Sequence, residues 1–260
     1  MKVIKNTVLF SYIGSFLLAG FSVSAFADDV RKWEGIYGGF AIGGAYGEAN
    51  PATEVILGNY FITNANGSDK GQLEPILQRK IGGWDLSGSA LAGYEYQVDK
   101  MTYGIEADLT AARYKETEQA GPIVYDTNAG GNFTTQTTVE TDFTFSIRPK
   151  VGYVINDFQF YVSAGPSVSK FKTTFEFQDT IGGGNQLTSI EEKIAFGGSS
   201  SVGVGYQIGN GWALRGDYVF TYFPDIAGGE GFLNNDAMAD FGFDGDFQSH
   251  NMRFAVIKHF

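Results

Sequence analysis

Apolar residues recur at every second position through most of the chain beyond residue 33, the pattern of strands with one apolar and one polar face. In one such stretch Leu86, Ala90, Ala92, Tyr94, Tyr96 and Val98 share a face, against Ser87, Ser89, Gly93, Glu95 and Gln97. Further along, Phe143, Phe145, Ile147, Val151, Tyr153 and Ile155 oppose Asp142, Thr144, Ser146, Arg148 and Lys150. The last stretch sets Met252, Phe254, Val256 and Phe260 against Asn251, Arg253 and Ala255. Three tight turns, Asp99-Lys100, Asn156-Asp157 and Gly209-Asn210-Gly211, divide the pattern into units near 33–98, 101–155, 158–208 and 212–260. A Gly-Tyr pair precedes each turn: Gly93-Tyr94, Gly152-Tyr153 and Gly205-Tyr206.

These units predict eight strands, with polar connections near 47–84, 115–138, 175–192 and 224–246 between the tight turns. Short and long connections in alternation are the arrangement of outer-membrane barrels, whose periplasmic turns are tight and extracellular loops long. The predicted fold is therefore all-β: an eight-stranded antiparallel transmembrane β-barrel with four long extracellular loops. A soluble sandwich would bury its apolar face. Here Tyr94, Tyr153, Tyr206 and Trp212 lie on that face beside the turns, where an aromatic girdle belongs. Pro149 and Pro166 interrupt two neighbouring strands at nearly the same height. Proline cannot donate to the ladder, so one local bulge is expected there.

Composition narrows the choice. Glycine is 36 of 260 residues and aromatics are 15%, too many for a disordered chain, and no cysteine is present for disulfides or thiolate metal sites. The net charge of −11 argues against a nucleic-acid partner, whose phosphates demand a basic surface. Lys2 and Lys5, an apolar run over Val8–Phe21 and the Ala25-Phe26-Ala27 site read as a cleaved signal peptide, 1–27, ahead of a barrel domain, 28–260.

Certain phrases are similar to a known family: Trp33-Glu34-Gly35-Ile36-Tyr37-Gly38-Gly39, Arg148-Pro149-Lys150-Val151-Gly152-Tyr153, Gly211-Trp212-Ala213-Leu214-Arg215-Gly216-Asp217-Tyr218 and the ending from His250 to Phe260. The chain resembles the porin-family outer-membrane β-barrel proteins related to opacity proteins, among them small alphaproteobacterial surface antigens and haemin-binding proteins. The resemblance implies a bacterial outer-membrane location. It also implies that Phe254, Val256 and Phe260 form the signal read by the barrel-insertion machinery, although Lys258 stands where an aromatic is usual.

The inward parity carries Glu95, Glu106, Asp108, Arg148, Lys150, Arg215, Asp217 and Arg253, with acids and bases in balance. An eight-stranded lumen is only wide enough for side chains to fill, so a salt-bridged plug is expected, with a gated ion path as the alternative. Simple register sets Gly165, Gly205 and Gly104 opposite Arg148, Arg215 and Glu95, leaving each room to cross the lumen. Arg113, Lys115, Lys170 and Lys172 have outward parity at the loop ends of their strands, at the height of lipopolysaccharide phosphates. Ser249 and His250 are adjacent and face opposite ways, so they form no catalytic dyad. By family analogy His250 and His259 are candidate haem ligands. The acidic stretch Asp240–Asp246 lacks the spacing of a calcium loop and reads as solvated.

The sequence thus predicts a monomeric, non-enzymatic surface barrel without metal or cofactor. Its partners would be outer-membrane lipid, lipopolysaccharide, the insertion machinery and a host or small-molecule ligand at the loops. A narrow ion or small-solute channel and a haemin-binding surface protein are the alternatives.

Overall fold

A computed structural model describes residues 32–235 and 238–260; the predicted signal peptide lies outside them. Eight strands form the barrel: β1 (Gly35–Pro51), β2 (Ile81–Val98), β3 (Met101–Val124), β4 (Asn132–Ile155), β5 (Phe158–Asp179), β6 (Gln186–Gly209), β7 (Trp212–Ala227) and β8 (Gly245–His259). Each pairs antiparallel with its neighbours in sequence. Closure comes from β1 against β8, in unbroken register from Tyr37↔His259 to Pro51↔Gly245. Asp99, Asn156 and Asn210 take the left-handed backbone conformation at the tight turns, which short polar side chains tolerate.

Near the turns the apolar face points out. Phe40 and Phe254 are 76% and 77% exposed, while the intervening positions fill the lumen. Towards the loop end the phase inverts. On β5 the outward residues Val162, Ala164 and Val168 give way to inward Phe171, Phe175 and Phe177, which are buried. β5 keeps its register through this change, so the environment has changed and the strand has not. Below the boundary the outside is lipid; above it, only the inside is dry.

Strands β3, β4 and β6 run for 24 residues and β5 for 22. A membrane crossing needs about 10 tilted residues. The surplus absorbs most of the connections predicted at 115–138 and 175–192, leaving only 125–131 and 180–185 outside the strands. The other two connections, 52–80 and 228–244, fold into the open end of the extended barrel. They bring helix α1 (Asp69–Leu77) and a three-stranded sheet of Glu54–Val55, Glu230–Gly231 and Phe241–Gly242. Phe61, Phe133, Phe177 and Phe241, fully or almost fully buried, form its core with Leu73 and Leu77. Three buried aspartates tie the connections down. Asp69 accepts from the Ile62 amide and Asp240 from the Leu233 amide, at 2.8 and 3.0 Å. Asp179 accepts from the Tyr60 and Tyr125 hydroxyls. Burial, reinforced by the Asp179 carboxylate, pushes both phenols well above their ordinary range and keeps them as donors.

The two prolines act differently from expectation. The β4–β5 ladder runs from Thr144↔Ser169 to Ser146↔Ser167 and resumes at Lys150↔Ser163 with the same register. There is an interruption at Pro149 and Pro166 but no bulge: two donors are missing, and no residue is inserted. The bulge lies further along, where Thr141↔Phe171 is followed by Thr144↔Ser169. The extra residue at Asp142–Phe143 turns Asp142, predicted inward, to the exposed outside.

Phe241 touches Phe61, Phe175 and Phe177 at ring distances of 5.1–5.2 Å. Phe241→Ala should loosen this cap by about 3–5 kcal/mol. Limited proteolysis should then cut within 52–80 and 228–244 while the barrel strands stay resistant.

Candidate functional site

The eight inward charges meet in one place, all nearly or fully buried. Glu106 accepts from Arg215 Nη1 at 2.6 Å, Arg148 Nη2 at 3.2 Å and the Tyr37 hydroxyl at 2.8 Å. Asp217 faces Arg215 Nη2 at 3.0 Å and Arg253 Nε at 3.3 Å, and accepts from the Tyr161 hydroxyl. Asp108 faces Arg253 Nη1 at 2.5 Å and Arg148 Nη2 at 3.3 Å. Acids and arginines therefore alternate in a closed cycle: Glu106, Arg215, Asp217, Arg253, Asp108, Arg148 and back to Glu106. Its members come from β3 and β4 on one side and β7 and β8 on the other. In an eight-membered ring β3 faces β7 and β4 faces β8, so the cycle spans the full width of the lumen. Nearer the turns, Lys150 pairs with Glu95 at 2.5 Å and lies 3.9 Å from the centre of the Tyr161 ring.

Glycine clears the space for these chains. Glu95 pairs with Gly104 and Arg215 with Gly205, while Gly165 faces Arg148 across the proline gap. A Cβ on Gly104 would lie 2.8 Å from Glu95 Cγ, and one on Gly165 3.0 Å from Arg148 Cα. Gly205 also accommodates something the sequence reading missed. A Cβ there would lie 2.6 Å from the Trp33 ring, which enters the turn-end mouth fully buried. The Trp33 amide donates to Gln97 and the Lys32 carbonyl accepts from Gln207, fixing this segment beneath the charges. The sequence assigned the room at Gly205 to Arg215, whereas the atoms a Cβ there would crowd most are those of the Trp33 ring.

Above the cycle lies a cavity of about 50 Å³, lined in part by Asp108, Thr110, Ser146 and Arg148. It has room for a few waters and none for a sugar or an amino acid. Tyr114, Phe171, Phe223 and Phe247 close it on the loop side, with successive ring contacts of 5.0–5.2 Å.

The remaining candidates lie apart. Phe254 and Val256 on β8 point outward, and Phe260 just past its end is likewise exposed on the membrane side. On the outer wall Lys115 pairs with Glu140 at 3.0 Å and Lys170 with Glu192 at 2.6 Å. Arg113 is exposed beside them, and Lys172 stands between Glu140 and Glu192 in the strand register. His250 contacts the Tyr218 hydroxyl at 2.7 Å on the outer face, whereas His259 is buried against Trp33 and Tyr37. Nine positions, roughly 30 Å, separate the two along β8, and they face opposite ways, so one haem cannot take both as ligands. Asp240, in the stretch expected to be solvated, is instead buried.

A closed barrel with lipid-facing aromatics outside and ion pairs inside defines an integral outer-membrane protein. The model of the outer membrane protein β-barrel domain matches residues 13–247, and the chain belongs to that family. A 25 kDa outer-membrane immunogenic protein of Brucella abortus is 24% identical over 233 residues, covering 88% of this chain and 91% of that protein. A 22 kDa outer membrane protein of Rhizobium leguminosarum is 27% identical over 140 residues, covering 53% of each. Among solved structures, the outer membrane protease OmpT of Escherichia coli aligns over 88% of this chain and 97% of its own, with a TM-score of 0.49 and 10% identity.

Removing Glu106 leaves Arg148 and Arg215 with one carboxylate each, Asp108 and Asp217, and the buried cycle with one uncompensated positive charge. Glu106→Ala should cost about 3–5 kcal/mol, read as a lower urea midpoint in lipid vesicles. Lys115→Gln, which breaks an exposed pair, should stay within about 1 kcal/mol in the same assay.

Proposed function

We propose that this is a non-conducting surface barrel, whose role is structural and interactive and is exercised at its extracellular face. The observation that carries this reading is the closed ion-pair cycle across the lumen, with Trp33 below it and an aromatic layer above. The loops are folded onto a core of their own, which favours an ordered platform for recognition over an open vestibule. Its exposed tips include Leu57, Ile62 and Met238. The Brucella relatives are named immunogenic, and a host-facing surface is the corresponding reading here.

The expected partners are outer-membrane lipid, lipopolysaccharide phosphates at Arg113, Lys115, Lys170 and Lys172, and the insertion machinery at Phe254, Val256 and Phe260. A host or small-molecule ligand would meet the cap, and the barrel would act as a monomer. We assign no enzymatic role: Ser249 and His250 point to opposite faces of β8, and the lumenal carboxylates are committed to arginines or, for Glu95, to Lys150.

Single-channel recording of the refolded protein in a planar bilayer tests the reading. The parent should show no steady openings, and neither should a variant lacking residues 52–80. Steady, ion-selective openings that Arg215→Ala alters would overturn the closed-barrel reading and establish the channel in its place.

A further inference from the structure

Above the membrane boundary only β3–β6 continue outward as a wall, roughly 20–30 Å beyond the charged row. The strand register places its outward residues in rows. The lowest is charged: Lys115↔Glu140↔Lys172↔Glu192. The next is hydroxylic, Thr117↔Thr138↔Thr174, and ends on Ile190. The row above it aligns Gln119↔Gln136↔Glu176↔Thr188. A last row aligns Thr134↔Gln178↔Gln186. In these three upper rows Glu176 is the single charge. The Thr117 and Thr138 hydroxyls contact each other at 2.8 Å across the strands, with Thr117 exposed and Thr138 buried beneath its neighbours.

Threonine is common on exposed strands, so its presence alone says little. The stratification says more. Ordinary solvated sheet faces mix lysine and glutamate throughout, whereas here mixed charge is confined to the margin of the apolar band, in the lowest row and in Arg113, Asp142 and Lys170 just below it. Above it stand side chains that both donate and accept, the chemistry that matches sugar hydroxyls. The wall rises directly from the lipid-facing band of the same strands, so its neighbour is whatever stands above the lipid in that leaflet. A phospholipid ends at its phosphate and would leave the upper rows facing water. A glycolipid with a phosphorylated base and a long saccharide meets every row in order.

We propose that the outer wall of β3–β6 is a saccharide-binding face for lipopolysaccharide of the same leaflet, with the sugar chain lying along the Thr and Gln rows. The proposal builds on the reading of Arg113, Lys115, Lys170 and Lys172 as phosphate contacts, and the test separates the two. Affinities of the full-length protein in non-ionic detergent would be measured for long-chain lipopolysaccharide and for lipid A without its saccharide. The parent should favour the former by about tenfold, the worth of one or two net hydrogen bonds. A wall variant, Thr117→Val, Thr174→Val, Gln136→Ala and Gln178→Ala, should lose that preference and bind lipid A as the parent does. Lys170→Gln with Lys172→Gln should weaken both ligands. If only this second variant behaves like the parent, the phosphate reading fails and the sugar face stands. A parent without the preference, or a wall variant that keeps it, overturns the proposal. Hydroxyl-radical labelling of the unaltered protein gives a check that needs no variant. Gln136 and Gln178 should be protected by long-chain lipopolysaccharide and not by lipid A, and equal labelling with both would also overturn it.

Discussion

Every charge inside a narrow, dry barrel must meet an opposite charge, and the structure follows from how that demand is met. Arginine and carboxylate alternate in a closed cycle, so each ion has two partners and none is left over. Desolvating a single unpaired ion costs several kcal/mol. The cycle can therefore form only when β3 and β4 stand across from β7 and β8 at one height. Slipping any of these strands by one residue would send its charges into lipid and bring an apolar side chain inward. The cycle thus selects both the register and the strand number. A wider barrel would hold the same charges too far apart to touch.

The glycines belong to the same solution. A missing Cβ at Gly104 gives the Glu95 chain its room, the one missing at Gly165 lets the β4 backbone come close beside Arg148, and the one missing at Gly205 makes way for Trp33. The prolines serve the arrangement in another way. At Pro149 and Pro166 the β4–β5 ladder lacks two donors beside Arg148, yet the register holds. What keeps the wall together there is the cross-lumen pairing of Arg148 with Glu106 and Asp108, together with the Ser146–Ser167 hydroxyl contact at 2.7 Å.

Much of this was legible in the sequence. Where one face meets lipid and the other the lumen, alternation is strong, and it assigned the strand faces, the three turns and the inward position of all eight charges. It failed where its assumption failed. In 115–138 and 175–192 the apolar residues are still two apart, as Phe175 and Phe177 are, but they change sides, and on β4 the bulge at Asp142–Phe143 adds a shift of its own. A pattern read with a fixed phase takes such segments for loops. The cap was invisible for a related reason: its core joins Phe61 and Phe241 of two connections to Phe133 on β4, far apart in sequence, and no local period links them. Trp33 lay in a recognisable motif, but a single residue before the first strand carries no parity to say that it turns inward.

The inversion of phase along β5 fixes where this molecule can sit in its membrane. Raising the barrel by two residues would bring Val168 and Phe196 into the aqueous layer. Lowering it would draw the Lys115–Glu140–Lys172–Glu192 row towards hydrocarbon, against a penalty that grows with depth. The boundary between the two faces is sharp to about one residue pair, roughly 7 Å along the strand. The protein is in effect a float with its waterline marked on it, and a bilayer of a different thickness would have to bend to meet that line.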